Sequence, residues 1–316
     1  MPHEAEHQDS EAMKLLKQRL GGLETEEGRT KGLEFKPQPT DCFVVTTPKA
    51  GTTWMQQICH QLRTGGSMDF DEISEVVPWI ELAHDLDHPL DAPQVAAPRV
   101  YKTHCWYDHC PKGGKYIVVV RHPEDVALSF FNFFQGWYFE PGEIDITTFL
   151  REFWLKRGEP ASRMQNASYH HHLTSWYHHR LDDNVLWVFF EDMKEHLEET
   201  VRRVDRFLGL HSPDDVIQTA VEHSSFAFMK THESQFDEHI TKRKRNPACG
   251  LPVEAGLGGG KVNQGQVGAA KAAIPSDVLS DIRDKWAKVV TPVTGHADYA
   301  TFRAGMREEL VAAGRW

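Results

Sequence analysis

The chain has 316 residues, and 35 lysines and arginines against 46 aspartates and glutamates leave a formal charge of −11. That balance excludes a protein that coats nucleic acid, which needs a dominant basic surface. At 40% hydrophobic and 26% charged, the composition is that of a globular chain with ample core material, not a disordered one.

Residues 1–35 read as a lead-in: a short amphipathic helix over Glu11 to Leu20, then a loose stretch opened by Gly21-Gly22. The polar, acidic start Met1 to His7 has no basic or apolar signal region. The longest apolar runs, Tyr116 to Val120 and Leu186 to Phe190, fall far short of the ~20 residues that cross a bilayer. A cytoplasmic enzyme with no membrane partner is expected. The five cysteines (Cys42, Cys59, Cys105, Cys110, Cys249) form no C-x-x-C pair, so reduced thiols are expected rather than a disulfide framework or zinc ribbon.

From Cys42 a grammar of strand, tight loop and helix sets in. Cys42 to Thr46 is β-prone, Pro48 and Gly51 punctuate, and Trp54, Ile58 and Leu62 carry helical spacing. Lys115 to Val120 is followed by Arg121-His122-Pro123 and a helical stretch from Val126 to Phe134, and Val185 to Phe190 leads into a helix over Met193 to Leu208. Apolar strands separated by helices imply parallel βαβ units in one α/β domain, a central mostly parallel sheet flanked by helices. Its ligand site is expected where the loops converge at the carboxyl ends of the strands. Residues 241–268, with Lys242-Arg243-Lys244-Arg245, two prolines and many glycines, read as a mobile loop, and residues 274–316 as one or two closing helices.

The first loop, Thr47-Pro48-Lys49-Ala50-Gly51-Thr52-Thr53-Trp54, combines backbone amides at a helix N-terminus, a glycine for close approach, two hydroxyls and one cation, a set suited to an anion. A phosphate-binding kinase loop reads G-x-x-x-x-G-K-[ST], whereas here Lys49 precedes Gly51. The second strand ends in Arg121, a planar fork that grips phosphate without a metal, instead of the acidic magnesium ligand of nucleotide triphosphatases.

With these residues in view the chain resembles the cytosolic sulfotransferases that use 3'-phosphoadenosine 5'-phosphosulfate (PAPS). Pro48 to Trp54 match the family's PKxGTTW, and Arg121 to Ser129 match R-x-P-x-D-x-x-x-S. The resemblance runs from about Phe43 to Lys230, more weakly to Phe302, and implies a sulfotransferase domain over residues 36–316. It implies that Lys49, Ala50, Gly51, Thr52, Thr53 and Trp54 bind the 5'-phosphosulfate and adenine, and that Arg121 and Ser129 hold the 3'-phosphate. Lys102-Thr103-His104 matches K-T-H, which makes His104 the general base, as an imidazole near neutrality suits. Lys49 is assigned to the leaving oxygen and Lys102 to the transferring group; no metal is needed.

Weaker matches are Phe189 to Lys194, with Phe190 in place of a cofactor-facing tyrosine, and His223 to Met229, which implies purine contacts from Ser224, Ser225, Phe226 and Met229. At the family's R-K-G clamp this chain has Lys261-Val262-Asn263-Gln264-Gly265, so Lys261, Asn263, Gln264 and Gly265 take the cofactor assignment. Either Lys261 or Lys242 to Arg245 then supplies the charge, or the cofactor is held less tightly. Val77 to Glu81 resembles V-P-F-x-E beside the acceptor pocket, and Trp79, Lys102, His104, Trp106, Phe134 and Trp137, with Cys105 and Tyr138, compose an aromatic wall for a small-molecule acceptor. Consecutive histidines 170–172 point in different directions on a helix and are not expected to chelate. The family's dimer motif is not recognisable at Lys271 to Pro275, leaving the oligomeric state open. The competing readings are a nucleotide kinase and a nucleotide-binding relative weakened in catalysis.

Overall fold

In the computed structural model, residues 10–257 and 268–316 are described. Four parallel strands, β1 (Cys42–Thr46), β2 (Val100–Thr103), β3 (Lys115–Val120) and β4 (Val185–Phe189), form one sheet in the order β2-β1-β3-β4. Cys42 sits opposite Val100 on one side and Lys115 on the other, so β1, β2 and β3 start level with one another. The chain moves from β1 outward to β2 and then crosses to β3, so the reversal of direction falls between β1 and β3. In open parallel sheets a crevice forms outside the carboxyl ends of strands at such a point.

Strand residues alternate between two cores. Phe43, Val45, Val118 and Val120 face one apolar cluster, and Cys42, Val44, Ile117 and Val119 face the other. Both faces are covered, which is why these strands read as continuous apolar runs instead of alternating ones.

Flanking helices include α1 (Glu11–Leu20), α2 (Glu26–Leu33), α3 (Thr52–Thr64), α4 (Pro123–Gln135), α5 (Leu197–Leu208), α6 (Phe226–Thr231), α7 (His239–Arg245), α8 (Ser276–Val289) and α9 (Tyr299–Ala312). Three features differ from the sequence expectations. The stretch after Gly21-Gly22, expected to be loose, is ordered: Thr25 caps α2 by accepting from the Gly28 amide, and Arg29 is fully buried. The helix expected over Met193 to Leu208 is broken at His196, whose φ of −139° and ψ of 56° lie outside the helical region, into a short turn Phe190–Glu195 and α5. The basic run Lys242 to Arg245, expected in a loop, stands on α7, where Lys242 is buried and its ammonium donates to the Gly256 carbonyl at 2.6 Å. Among the described residues, no helix is long and apolar enough to cross a membrane.

Candidate active site

A cavity of about 1310 Å³ opens at the carboxyl ends of β1, β2 and β3. Its floor on the β1 side is the turn into α3. Lys49 and Gly51 both adopt left-handed φ, 73° and 109°, and a Cβ at Gly51 would stand 2.9 Å from Cδ2 of Phe190. The glycine therefore lets the backbone turn tightly under that ring, aiming the amides that open α3 at the cavity. Lys49, Gly51, Thr52, Thr53 and Trp54 all line it, while Ala50 is buried behind the turn. Thr52 shares a 2.6 Å hydrogen bond with Thr46, and the Lys49 ammonium sits 4.2 Å from the centre of the Phe133 ring.

On the β3 side, Arg121 follows the strand directly and Ser129 lies about two turns into α4, and both face the same cavity. The Arg121 guanidinium lies 4.3 Å from the centre of the Phe190 ring and donates to the Lys49 carbonyl at 3.3 Å, joining the two loops. Its own carbonyl accepts from the Tyr169 hydroxyl at 2.7 Å. Burial lowers the pKa of Arg121, yet an arginine so placed stays charged at neutral pH. Glu191 accepts from the His122 amide at 3.0 Å and from the Tyr299 hydroxyl at 2.6 Å, anchoring this loop to α9.

His104 follows β2 and is 5% exposed. Its Nδ1 lies 2.8 Å from the Thr46 carbonyl oxygen. A carbonyl only accepts, so Nδ1 carries the proton and Nε2 the lone pair. The His104 amide donates to Glu81 at 2.7 Å, and the ring meets Trp79 edge-on at 5.1 Å between centroids. The segment bearing Trp79 continues the sheet beyond β2: Lys102 donates its amide to Pro78 and Ile80 donates to Lys102. Trp79 is thereby set beside Lys102, whose ammonium lies 3.9 Å from that ring's centre.

Phe134, Trp137, Phe190, Phe226 and Met229 also line the cavity. Trp106 does not; it precedes a short 3-10 turn and its ring packs on His109 at 5.4 Å. Ser224 and Ser225 stand outside as well. The Ser224 carbonyl accepts from the Trp54 indole at 2.7 Å and Ser225 caps α6, so both position neighbours that do line the cavity. Lys261, Asn263, Gln264 and Gly265 lie outside the described residues. Asp125 accepts from the amide of the described Gly268 at 2.9 Å.

Sequence reasoning missed several lining residues. Phe130 and Phe133 stand on α4 four residues before Phe134 and Trp137 respectively, a signal that was present. The lead-in contributes Met13, Lys17, Leu23 and Glu24. Burial pushes the Glu24 carboxyl up to about 7, against the pull of Arg29 at 2.8 Å. Glu238, from the start of α7, had no signal at all. Among the described residues one group has the composition of a metal site, Glu72, Asp237 and His239, with ligand atoms within 4.8 Å of one another. Its atoms are committed: Glu72 accepts from the Ile240 amide at 2.6 Å and His239 pairs with Asp237 at 2.8 Å.

The sheet and the loops after its strands bring Lys49, Lys102 and Arg121 together at the switch between β1 and β3. The sulfotransferase domain model matches residues 39–277, and the chain belongs to that family; it is a sulfotransferase. Similar proteins include mouse sulfotransferase 1A1, 30% identical over 206 residues, 62% of this chain and 69% of the relative. Guinea pig (Cavia porcellus) sulfotransferase 1E1 is 26% identical over 231 residues, 67% of this chain and 75% of the relative. The solved structure of retinol dehydratase in complex with androsterone and the inactive cofactor PAP aligns with a TM-score of 0.66 at 19% identity, covering 89% of this chain and 94% of that one, and shows the shared fold.

Proposed function

We propose that this sulfotransferase moves a sulfuryl group from PAPS to a hydroxyl or amine of a small apolar acceptor, with His104 as general base. The observation that carries the reading is convergence: Lys49, Thr52, Lys102, His104, Arg121 and Ser129, drawn from three strand ends, all face one cavity. The fit to the donor rests on the tight turn at Gly51, which brings backbone amides to the cavity, and on the two-cation loop pair of Lys49 and Arg121 joined by the 3.3 Å bond. When bound, the donor supplies a sulfuryl group whose sulfur forms a bond to the acceptor oxygen as its bond to the phosphate oxygen breaks, the electron pair leaving on the phosphate.

Each residue then has a defined task. Thr46 and Glu81 hold His104 in one tautomer and place, so that Nε2 takes the acceptor proton. Lys49 and the amides opening α3 stabilise the departing phosphate oxygen, and Lys102 the transferring group. Arg121 and Ser129 grip the 3'-phosphate, with Trp54, Phe190, Phe226 and Met229 about the purine. Trp79, Phe134 and Trp137 exclude water around the acceptor. An apolar alcohol suits this wall, and retinol dehydratase, which shares the fold, holds one in its solved complex, androsterone.

The test is calorimetric titration with the product 3'-phosphoadenosine 5'-phosphate (PAP) in the presence of a chelator. Saturable binding that weakens at least about tenfold in Arg121→Ala is expected; no binding of PAP by the wild-type chain refutes the donor assignment.

A further inference from the structure

Inside the cavity, at its reacting end, Lys102 and Glu238 form a buried ion pair. Nζ stands 2.7 Å from Oε1, and the two side chains are 4% and 6% exposed. Both residues line the cavity, and Lys102 stacks on the same Trp79 ring that meets His104. Other carboxylates, Glu24 and Asp125 among them, also line the cavity, but of the described residues Glu238 is the one in contact with the ammonium assigned to the transferring group.

Glu238 is also held in a conformation that non-glycine residues seldom adopt, with φ 60° and ψ 33° at the start of α7. The neighbouring residues over-determine that backbone. His239 donates its amide to Asp237 at 3.0 Å, Ile240 donates to Glu72 at 2.6 Å, and Lys242 donates to the Glu238 carbonyl at 2.9 Å. Strain maintained in this way concentrates at functional sites. Stability does not call for the pair either, because apolar residues of similar size serve a core as well or better than buried ions.

We propose that Glu238 is the resting counter-ion of Lys102: the lysine exchanges this carboxylate for the sulfuryl oxygens of the donor and takes it back after transfer. The proposal rests on the donor assignment above and concerns a positioning residue, since Glu238 acts through Lys102. One ammonium does not serve two anions equally. With the carboxylate beside it, an incoming sulfuryl group meets both attraction and repulsion, whereas PAP, which lacks that group, meets neither. Glu238 therefore weakens binding of ligands that carry a sulfuryl group at this point, the donor and the sulfated product, and leaves PAP unaffected. Returning to Lys102, it displaces the sulfate ester and resets the site.

The experiment titrates full-length wild type and Glu238→Gln separately with PAP and with PAPS, without acceptor, by calorimetry. Glu238→Gln is expected to bind PAPS about tenfold more tightly than wild type while its PAP affinity stays within about twofold. Glu238→Asp keeps the charge and is expected to keep the wild-type ratio of the two affinities. Glu238→Asn, whose side chain suits left-handed backbone, repeats the neutralisation if the glutamine variant folds poorly. A ratio of PAPS to PAP affinity that is unchanged in the neutral variants, whether neither affinity moves or both move together, overturns the proposal. Absence of PAP binding in the wild type refutes the donor assignment instead.

Discussion

His104, the proposed base, has two fixed neighbours. The Thr46 carbonyl commits Nδ1 to donating and Glu81 pins the backbone, so the ring has one orientation. His104→Ala is expected to lower turnover by a factor of about 100 to 10,000, while PAP affinity measured by calorimetry stays within about twofold; turnover at the wild-type rate removes the assignment. Gly51 carries a geometric burden instead of a chemical one. Its φ of 109° strains any side-chain-bearing residue, and a Cβ would stand 2.9 Å from the Phe190 ring. Gly51→Ala is expected to weaken PAP binding about tenfold through the displaced amides, and an unchanged dissociation constant counts against the cradle. Both residues were recognisable in sequence because they lie in short motifs whose chemistry is local. Glu238 was not, because its partner Lys102 lies 136 positions away and Asp237-Glu238-His239 has the composition of a solvated turn. Trp106, expected in the aromatic wall, stands outside the cavity because the 3-10 turn that follows it packs its ring on His109.

At the scale of elements, the start of α7 is clamped to the N-cap of the short helix Ile73–Val76 through His239. Burial alone would lower the His239 pKa, but hydrogen bonds with Asp237 and Asp71, helped by the charge of Glu72, raise it above 6.5. A raised histidine contributes stability that is fully present below the unfolded value and is lost as pH rises through the folded one. His239→Gln is therefore expected to be less stable than wild type at pH 5, by about 1 kcal/mol in urea unfolding, with the gap closing as pH rises toward alkaline values. A gap independent of pH contradicts the clamp. β1, β3 and β4 were legible because burial on both faces writes continuous apolar runs, and Cys42–Thr46 and Lys115–Val120 have the expected bounds; β2, four residues long and broken by Lys102, carries no such run. Two helical features were not. The break at His196 leaves the apolar spacing of its flanks intact, and the basic run of α7 hides a buried Lys242 whose partner, the Gly256 carbonyl, comes from the following turn.

At the scale of the molecule, the charge of −11 coexists with a site that gathers Lys49, Lys102 and Arg121, since loop cations and helix N-termini act at contact distance while surface carboxylates are screened beyond ~10 Å. The fold also buries neutral histidines. Burial pushes His60 down to about 4 and His172 down to about 3. Because the unfolded chain takes up protons at 6.5 that the folded chain refuses, stability present above that pH is lost as pH falls toward those values. Unfolding is expected to take up protons, with the thermal midpoint dropping steeply between pH 6.5 and about 4; a midpoint flat over that range argues against buried neutral imidazoles. The lead-in is part of the same whole: Met13 and Lys17, on the expected helix, and Glu24, in the stretch read as loose, close one side of the cavity.

The most direct measurement of the central claim is transfer of isotopically labelled sulfate from PAPS to a panel of phenols, apolar alcohols and amines, with a chelator present. The expected result is a labelled sulfate ester or sulfamate from at least one acceptor, lost in His104→Ala while that variant still binds PAP. No transfer to any acceptor by a wild-type chain that also fails to bind PAP would contradict it.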